Sequence, residues 1–556
     1  MEDTADVRVP VLVVGGSLVG LSTSLFLSRH GIRHLVVEKH AGTSDHPRGR
    51  GINARTMELF RVAGAEGAIR QAASALENNM GILQTESLLG GDHKWLVKAI
   101  DPAGALSKFS PTGWCVCSQN NIEPILAAQS RAQGADVRFS TELMSFDQDE
   151  SGVNALVKDR ETGEHITVRA DFLIAADGPR SPVREQLRIP QTGSGELFHN
   201  VSVTFRSRRL VEVLGDLRFI VCYLMKPGAD GALLPVDNDT QWVFHLPWHP
   251  DRGETLEDFT EERCREQIRA AIGVPDLDVE IGGKAPWHAA ERVAERYSAG
   301  RVFLAGDAAH EMSPTGAFGS NTGIQDAHNL AWKIAAVLNG SAGMALLETY
   351  GAERHPVALA TAERASARSA EHSHPGYAPP PTMGGGPGSG VLTTAMAYAY
   401  PSGAFVGGAP DRPVIPEGMR MKGDPGTRAP HMWLTRADGE RVSTVDLYER
   451  AFVLLCGAGS PWRAAAERVA ERLSVKLDAY SIGSAAIGSA AGGSANAPDA
   501  DLMEEEGADW SEVHAMSREG AVLVRPDGFV AWRSQGPVAD AEAALSEALS
   551  TVLRRA

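Results

Sequence analysis

Three carboxylates stand at the ends of apolar, strand-like runs in this chain. Glu38 closes HLVVE, Asp177 closes FLIAAD, and Asp307 closes RVFLAGD. An acid at a sheet edge can accept hydrogen bonds from a sugar-like polyol. Asp307 is followed by a loop holding Pro314, Gly316 and Gly319, then by Asn321 and a helix that closes on AHNLAWKIAAVL. Such a loop has little side-chain bulk, so its backbone can approach a flat ligand closely. The helix start behind it offers unpaired N–H groups and a positive dipole end. Taken singly, each acid also fits an ordinary turn. Two of them at strand ends some 130 residues apart point to one ligand if both face it.

The elements that would position these acids begin at PVLVVGGSLVGLSTSLFLSRHGIRHLVVEKH, which reads strand, glycine turn, helix, strand. Gly15 and Gly20 hold the outer positions of G-x-G-x-x-G, and Ser17 departs from the pattern at the middle one. An ordinary φ at Ser17 would still let its backbone lie against a pyrophosphate. Glu38 follows about 20 residues later, where an acid binds ribose hydroxyls, favouring FAD or NAD over NADP. Arg48, Arg50 and Arg55 come next, either a solvated basic patch or an arginine turned to the pyrophosphate. Gln119 opens a further helix and reads as a capping residue or a ligand contact.

At 556 residues the chain is long enough for several domains. Hydrophobic residues make up 43% and charged residues 22%, an ordinary globular composition. The net charge of −17 disfavours nucleic acid or anionic membrane as partners. Five cysteines, none in C-x-x-C spacing, suggest a reducing cytoplasm and no redox role for Cys456. Val9 to Ser28 lacks charge and could mimic a spanning helix. The acidic MEDTAD before it and Gly15-Gly16-Ser17 within it favour a buried strand and helix, with no transmembrane segment. No metal site is indicated.

Strand-rich segments fill 136–187. Short β-branched and aromatic strands between 190 and 300 suggest an inserted antiparallel sheet. In TQWVFHLPW, Trp242, Phe244 and Leu246 alternate with Val243 and His245, so one face is expected in a core and the other on a cavity. HPGYAPPPTMGGGPGSG and SIGSAAIGSAAGGSANAPD read as connectors. A strand–helix–strand unit and a hairpin turning at Asp527-Gly528 suggest a small C-terminal α/β domain.

The set G-x-(G/S)-x-x-G, Asp177-Gly178, Gly306-Asp307-Ala-Ala-His, Pro314-Thr-Gly and Gly319-x-Asn321 resembles the single-component flavoprotein aromatic hydroxylases over residues 8–365. GWCVCSQNNIEPILAAQ and LVRPDGFVAWR are similar to the branch acting on aromatic polyketides. The resemblance implies an α/β fold: a Rossmann-like FAD-binding domain at 1–189 and 291–400, a substrate sheet at 190–290, and a redox-inactive thioredoxin-like domain at 401–556. It implies FAD contacts at Gly15, Gly16, Ser17, Leu18, Val19 and Gly20, at Glu38 and Lys39, and at Arg48, Gln119 and Leu143. Further FAD contacts are implied at Asp177, Gly178, Gly306, Asp307, Pro314, Gly316, Gly319, Ser320 and Asn321. Substrate contacts are expected at Tyr223, Trp242 and Pro314, and a base, if one is used, at His245, Glu371, His372 or His374.

The implied reaction uses NADPH or NADH to reduce FAD, then O2 to form a C4a-hydroperoxide that hydroxylates a phenolic or quinonoid polycycle. Baeyer–Villiger insertion or epoxidation, and flavin reduction without oxygenation, are the alternatives. A halogenase is disfavoured because no W-x-W-x-I-P segment appears. A monomer or homodimer is expected.

Overall fold

PVLVV lies within the Val7–Val14 strand, which pairs in parallel with His34–Val37 on one side and His165–Ala175 on the other. Val302–Leu304 continues the sheet beyond His165–Ala175, and Asp136–Arg138 beyond His34–Val37, both in parallel. The computed structural model describes residues 5–371, 390–409, 411–484 and 500–555. Both connector-like segments fall largely outside those residues. Val11–Val14 and His34–Val37 are buried throughout, as expected of a parallel sheet covered on both faces.

The register sets up the site. Val14 pairs with both Val37 and Ala175, and Ala175 with Leu304. Four parallel strands therefore end on one line, and Gly15, Glu38, Asp177 and Asp307 follow it by one to three residues. Ligands of open parallel sheets bind at such carboxyl ends. The Leu18–Arg29 helix packs along the Phe318–Leu338 helix over this sheet. That second helix starts earlier than AHNLAWK, at Phe318, so its first turn faces the loop that carries Pro314 and Gly316.

A second, eight-stranded sheet runs in the order His310–Glu311, Glu280–Ala294, Gln191–Arg206, Gln241–Trp248, Gly231–Pro235, Val221–Leu224, Ile82–Thr85 and Lys94–Val97. It is wider than the 190–290 segment expected to form it. Ile82–Thr85 and Lys94–Val97 join its edge, the former in parallel with Val221–Leu224. Both are four-residue strands too short to show periodicity. Trp242, Phe244 and Leu246 share one buried core with Cys264, Ile268 and Ile272 of the Glu261–Ile272 helix.

The third sheet is mixed and seven-stranded, and lies C-terminal to the others. Phe452–Gly457 runs parallel to Leu477–Gly483 and antiparallel to Ala521–Val524, a thioredoxin-like arrangement. Cys456 is buried there, and burial raises its thiol pKa. The hairpin between Ala521–Val524 and Val530–Ser534 turns through Asp527-Gly528.

This hairpin docks the C-terminal unit through buried charge. Arg525 donates to both oxygens of Glu353 at 2.6 and 2.9 Å and to Asp527 at 2.9 Å. Lys333 Nζ and Asn329 Nδ2 also donate to Glu353, at 2.8 and 2.7 Å. Burial opposes ionisation of Asp527, but Arg525 outweighs it and holds the carboxyl down to about 2. Arg525→Met would leave two buried carboxylates without their fork, and should cost about 3–5 kcal/mol in urea unfolding. Because the folded-state pKa of Asp527 is depressed, the unfolded chain takes up its proton first as pH falls below about 4. Stability present above that pH should therefore be lost progressively toward pH 2, which Tm measured across that range would show.

Candidate active site

A cavity of about 1950 Å³ opens between the strand ends of the first sheet and the open face of the second. It is roughly twice the upper end of the usual 300–1,000 Å³ range for one small ligand, so two molecules fit in series.

Its polar end is built by close backbone approach. Gly15 has φ +104°, and a Cβ there would lie 2.2 Å from the Ala176 carbonyl oxygen. A Cβ on Gly20 would lie 1.8 Å from the Gly15 carbonyl oxygen, so that position closes the turn. Ser17 has an ordinary φ of −92° and leaves its helix start without a side-chain cap. Its hydroxyl donates instead to Glu123 Oε1 at 2.5 Å, while Gln119 Nε2 donates to Ser17 Oγ at 3.0 Å. Gly16 N–H donates to Glu38 Oε2 at 2.6 Å, placing this carboxylate beside the turn.

Asp177 and Asp307 line the same end. Asp177 Oδ1 is buried without a partner among the described residues, and burial raises the carboxyl pKa. Asp307 is exposed and lines the cavity. The surrounding protein raises its pKa, with Glu311 adding to this and His310 and Arg48 opposing it.

The loop behind Asp307 is held by one buried carboxylate. Asp326 Oδ2 lies 2.7 Å from His310 Nε2 and accepts from Gly306 N–H at 3.3 Å, while Oδ1 accepts from Arg354 Nε at 2.7 Å. Ala317, at φ +54°, precedes the uncapped start of the Phe318–Leu338 helix. A non-glycine residue in that region is strained. Gly319 and Ser320 of the first turn face the cavity.

The other end is mostly apolar, with Ile82, Ile220, Leu234, Pro286 and Met419 among its lining residues. His245 and Trp287 line it with rings 5.1 Å apart. Tyr223 also lines it, and burial pushes its phenol up to about 12 against the opposing pull of a Thr315 hydrogen bond and the Arg368 charge. Ser369 Oγ donates to Thr315 Oγ1 at 2.7 Å, joining the loop after Asp307 to the end of the Glu348–Glu371 helix.

Of the expected ligand residues, Gly15, Gly16, Ser17, Glu38, Lys39, Arg48, Gln119, Leu143, Asp177, Gly178, Asp307, Pro314, Gly316, Gly319 and Ser320 line the cavity. Leu18, Val19, Gly20 and Gly306 shape it from behind; Val19, for example, packs against Gly306. Asn321 is a latch: its Nδ2 donates to the Gly51 and Ala317 carbonyls, and its Oδ1 accepts from Asn53 N–H. Trp242 is a correction. It is 1% exposed in the core behind the sheet, and its indole N–H donates to the Ser207 carbonyl. Trp242 precedes His245 by an odd number of residues and so faces the opposite side of the strand. The side chain of Glu371, and all of His372 and His374, lie outside the described residues.

The three arginines of the basic cluster diverge. Arg48 is exposed in the cavity, Arg50 is buried against the second sheet, and Arg55 pairs with Glu58 at 2.9 Å. Sequence reading passed over Arg368 and His46, which also line the cavity. His46 Nε2 lies 2.9 Å from Ser202 Oγ, and burial, with Arg48 and Arg50 nearby, lowers its pKa. Its one local signal was the His-Pro-Arg step.

Comparison with known proteins decides the family. A family described as an FAD binding domain matches residues 8–365, and one described as the C-terminal part of aromatic-ring hydroxylases matches 422–556. The chain belongs to the FAD-dependent aromatic-ring hydroxylases. It is 62% identical to a protein of Streptomyces halstedii provisionally described as a polyketide hydroxylase, over 98% of this chain and 97% of that one. It is 41% identical to tetracenomycin A2 monooxygenase-dioxygenase of Streptomyces glaucescens, over 99% and 97% of the two chains. The structure of aklavinone-11 hydroxylase with FAD and aklavinone superimposes with a TM-score of 0.86 at 37% identity, covering 99% of this chain and 100% of that one.

The hydroxylase's own geometry fits FAD. A turn that any Cβ would close, two uncapped helix starts and the orphaned Asp177 oxygen together match pyrophosphate, ribityl and ring-edge acceptors and donors. Asp307→Ala should weaken FAD binding about tenfold or more. Titration of the apoenzyme with FAD, read by flavin fluorescence, would show it; unchanged affinity would remove Asp307 from the cofactor site.

Proposed function

We propose that this hydroxylase inserts one oxygen atom of O2 into a fused-ring phenol or quinone of polyketide type, with NAD(P)H as reductant. The observation that carries this reading is the two-ended cavity: a carboxylate-edged nucleotide end runs into an apolar, aromatic-walled end. The names of the relatives support the substrate class.

Bound FAD, once reduced, supplies the electrons that activate O2. The chain's residues do the rest. The start of the Phe318–Leu338 helix offers backbone N–H groups to negative charge developing at a flavin edge. The apolar wall keeps water from the reacting ring. With its phenol pushed up to about 12, Tyr223 is a hydrogen-bond donor at neutral pH rather than a base. Beside it, Arg368 supplies positive charge, so the pair suits a substrate oxygen that gains negative charge as the ring is attacked. His245, against Trp287, is one described residue placed to take a proton at the apolar end.

All five cysteines are free and buried, and the reductant is intracellular, which supports a cytoplasmic setting. Among the described residues no helix is long and apolar enough to cross a membrane.

Turnover of a polycyclic phenol under oxygen-18 gas should give a product heavier by one labelled oxygen, with a new ring hydroxyl. A lactone would instead show Baeyer–Villiger insertion, and NAD(P)H consumption with the aromatic substrate returned unchanged would show flavin reduction alone. Tyr223→Phe should lower kcat/KM by roughly tenfold to a hundredfold while flavin content stays constant. An unaltered kcat/KM would remove Tyr223 from the reaction.

A further inference from the structure

Arg55, Arg354, Arg428 and Arg525 are buried, and each grips a carboxylate. Arg50 does not. It is 6% exposed, and one terminal nitrogen donates to the Pro235 carbonyl at the end of the Gly231–Pro235 strand. Its Nε is buried without an acceptor, and among the described residues no carboxylate pairs with it. Burial alone pulls its pKa down to about 9. There is a second orphan. Trp114 is 5% exposed and its indole N–H is buried without an acceptor.

Both residues line the large cavity. Arg50 directly precedes the Gly51–Ile52 strand and Trp114 its antiparallel partner, Cys115–Val116, so their backbones lie at opposite ends of this short ladder and the indole reaches back along it. The Trp114 ring lies so close over Gly51 that a Cβ there would meet it at 2.7 Å. Ile220 and Val391 pack against the small core that Trp114 forms with Leu76 and Val116.

Guanidinium and indole N–H groups are donors only, so what the pair lacks is an acceptor. A buried, unpaired cation is costly and calls for a partner that brings negative charge. The planar fork of arginine matches two coplanar oxygens better than one. Arg50 is anchored on the second sheet rather than at the strand ends where Gly15 and Asp177 meet.

We propose that Arg50 and Trp114 form a carboxylate-binding subsite, so that the substrate is a fused-ring aromatic bearing an ionised carboxyl group. This rests on reading the cavity as the substrate site of a ring hydroxylase, and deepens that reading.

The probes are anthraquinone-2-carboxylate and its methyl ester, added to oxidised holoenzyme and read by perturbation of the flavin absorption. The acid should bind the wild type about tenfold or more tightly than the ester, the scale of a charge-assisted hydrogen bond. In Arg50→Met that preference should collapse to within about twofold, Arg50→Lys should keep part of it, and Trp114→Phe should lose a smaller part. Arg50→Met removes an unpaired buried charge, so its Tm should equal or exceed that of the wild type. Equal affinity of the two probes for the wild type, including failure of both to bind, overturns the proposal. So does an undiminished preference in Arg50→Met, or release of flavin by that variant, which would assign Arg50 to the cofactor. If no polycyclic phenol is hydroxylated while the acid preference still depends on Arg50, the hydroxylase reading falls and the subsite stands.

Discussion

The carboxylate of Asp326 is the constraint on which the site depends. It is fully buried, and burial alone would favour its neutral form, yet Arg354 and His310 hold its pKa below the usual carboxylate range. Through it the Phe318–Leu338 helix, the Glu348–Glu371 helix and the turn at Gly306 are tied to one point. Asp307, next along the chain from Gly306, reaches the cavity from a turn held at that point. The strained Ala317 and the uncapped helix start lie on the same helix that Asp326 anchors. A charge buried away from the cavity thus sets the geometry of the groups that line it.

The first sheet was legible in the sequence because its signals are local. Apolar runs buried on both faces, a glycine turn and acids at strand ends need no distant partner to be read. Alternation in TQWVFHLPW likewise separated the core face from the cavity face, but did not say which face was which, and Trp242 was assigned to the wrong one. The two short edge strands at 82–97 were not legible. Their pairing is decided by a strand more than a hundred residues away, and four residues carry no period. The arginines show the same limit. Arg48, Arg50 and Arg55 look alike in sequence, and only the packing around each gives one to the cavity, one to the sheet and one to an ion pair.

The central helices link the cavity to the C-terminal unit by hydrogen bonds rather than by apolar contact alone. Asn321 joins the start of the Phe318–Leu338 helix to Asn53, which caps the Ala54–Val62 helix. Glu58 of that helix pairs with Arg428 and Arg55, and Arg55 donates to the Asp527 carbonyl at 2.5 Å. The cavity-facing helix start and the C-terminal hairpin therefore share one buried polar scaffold.

The docking hairpin also governs how the chain can be divided. Glu353 and Asp527 come from different halves and share the guanidinium of Arg525. A cut between the halves would part Arg525 from Glu353, leaving Asp527 beside the cation and Lys333 beside the anion. The same seam buries Trp332 and Leu346 in one core with Phe452, Leu454 and Leu549 of the C-terminal unit, so dividing the chain there bares oily surface as well as charge.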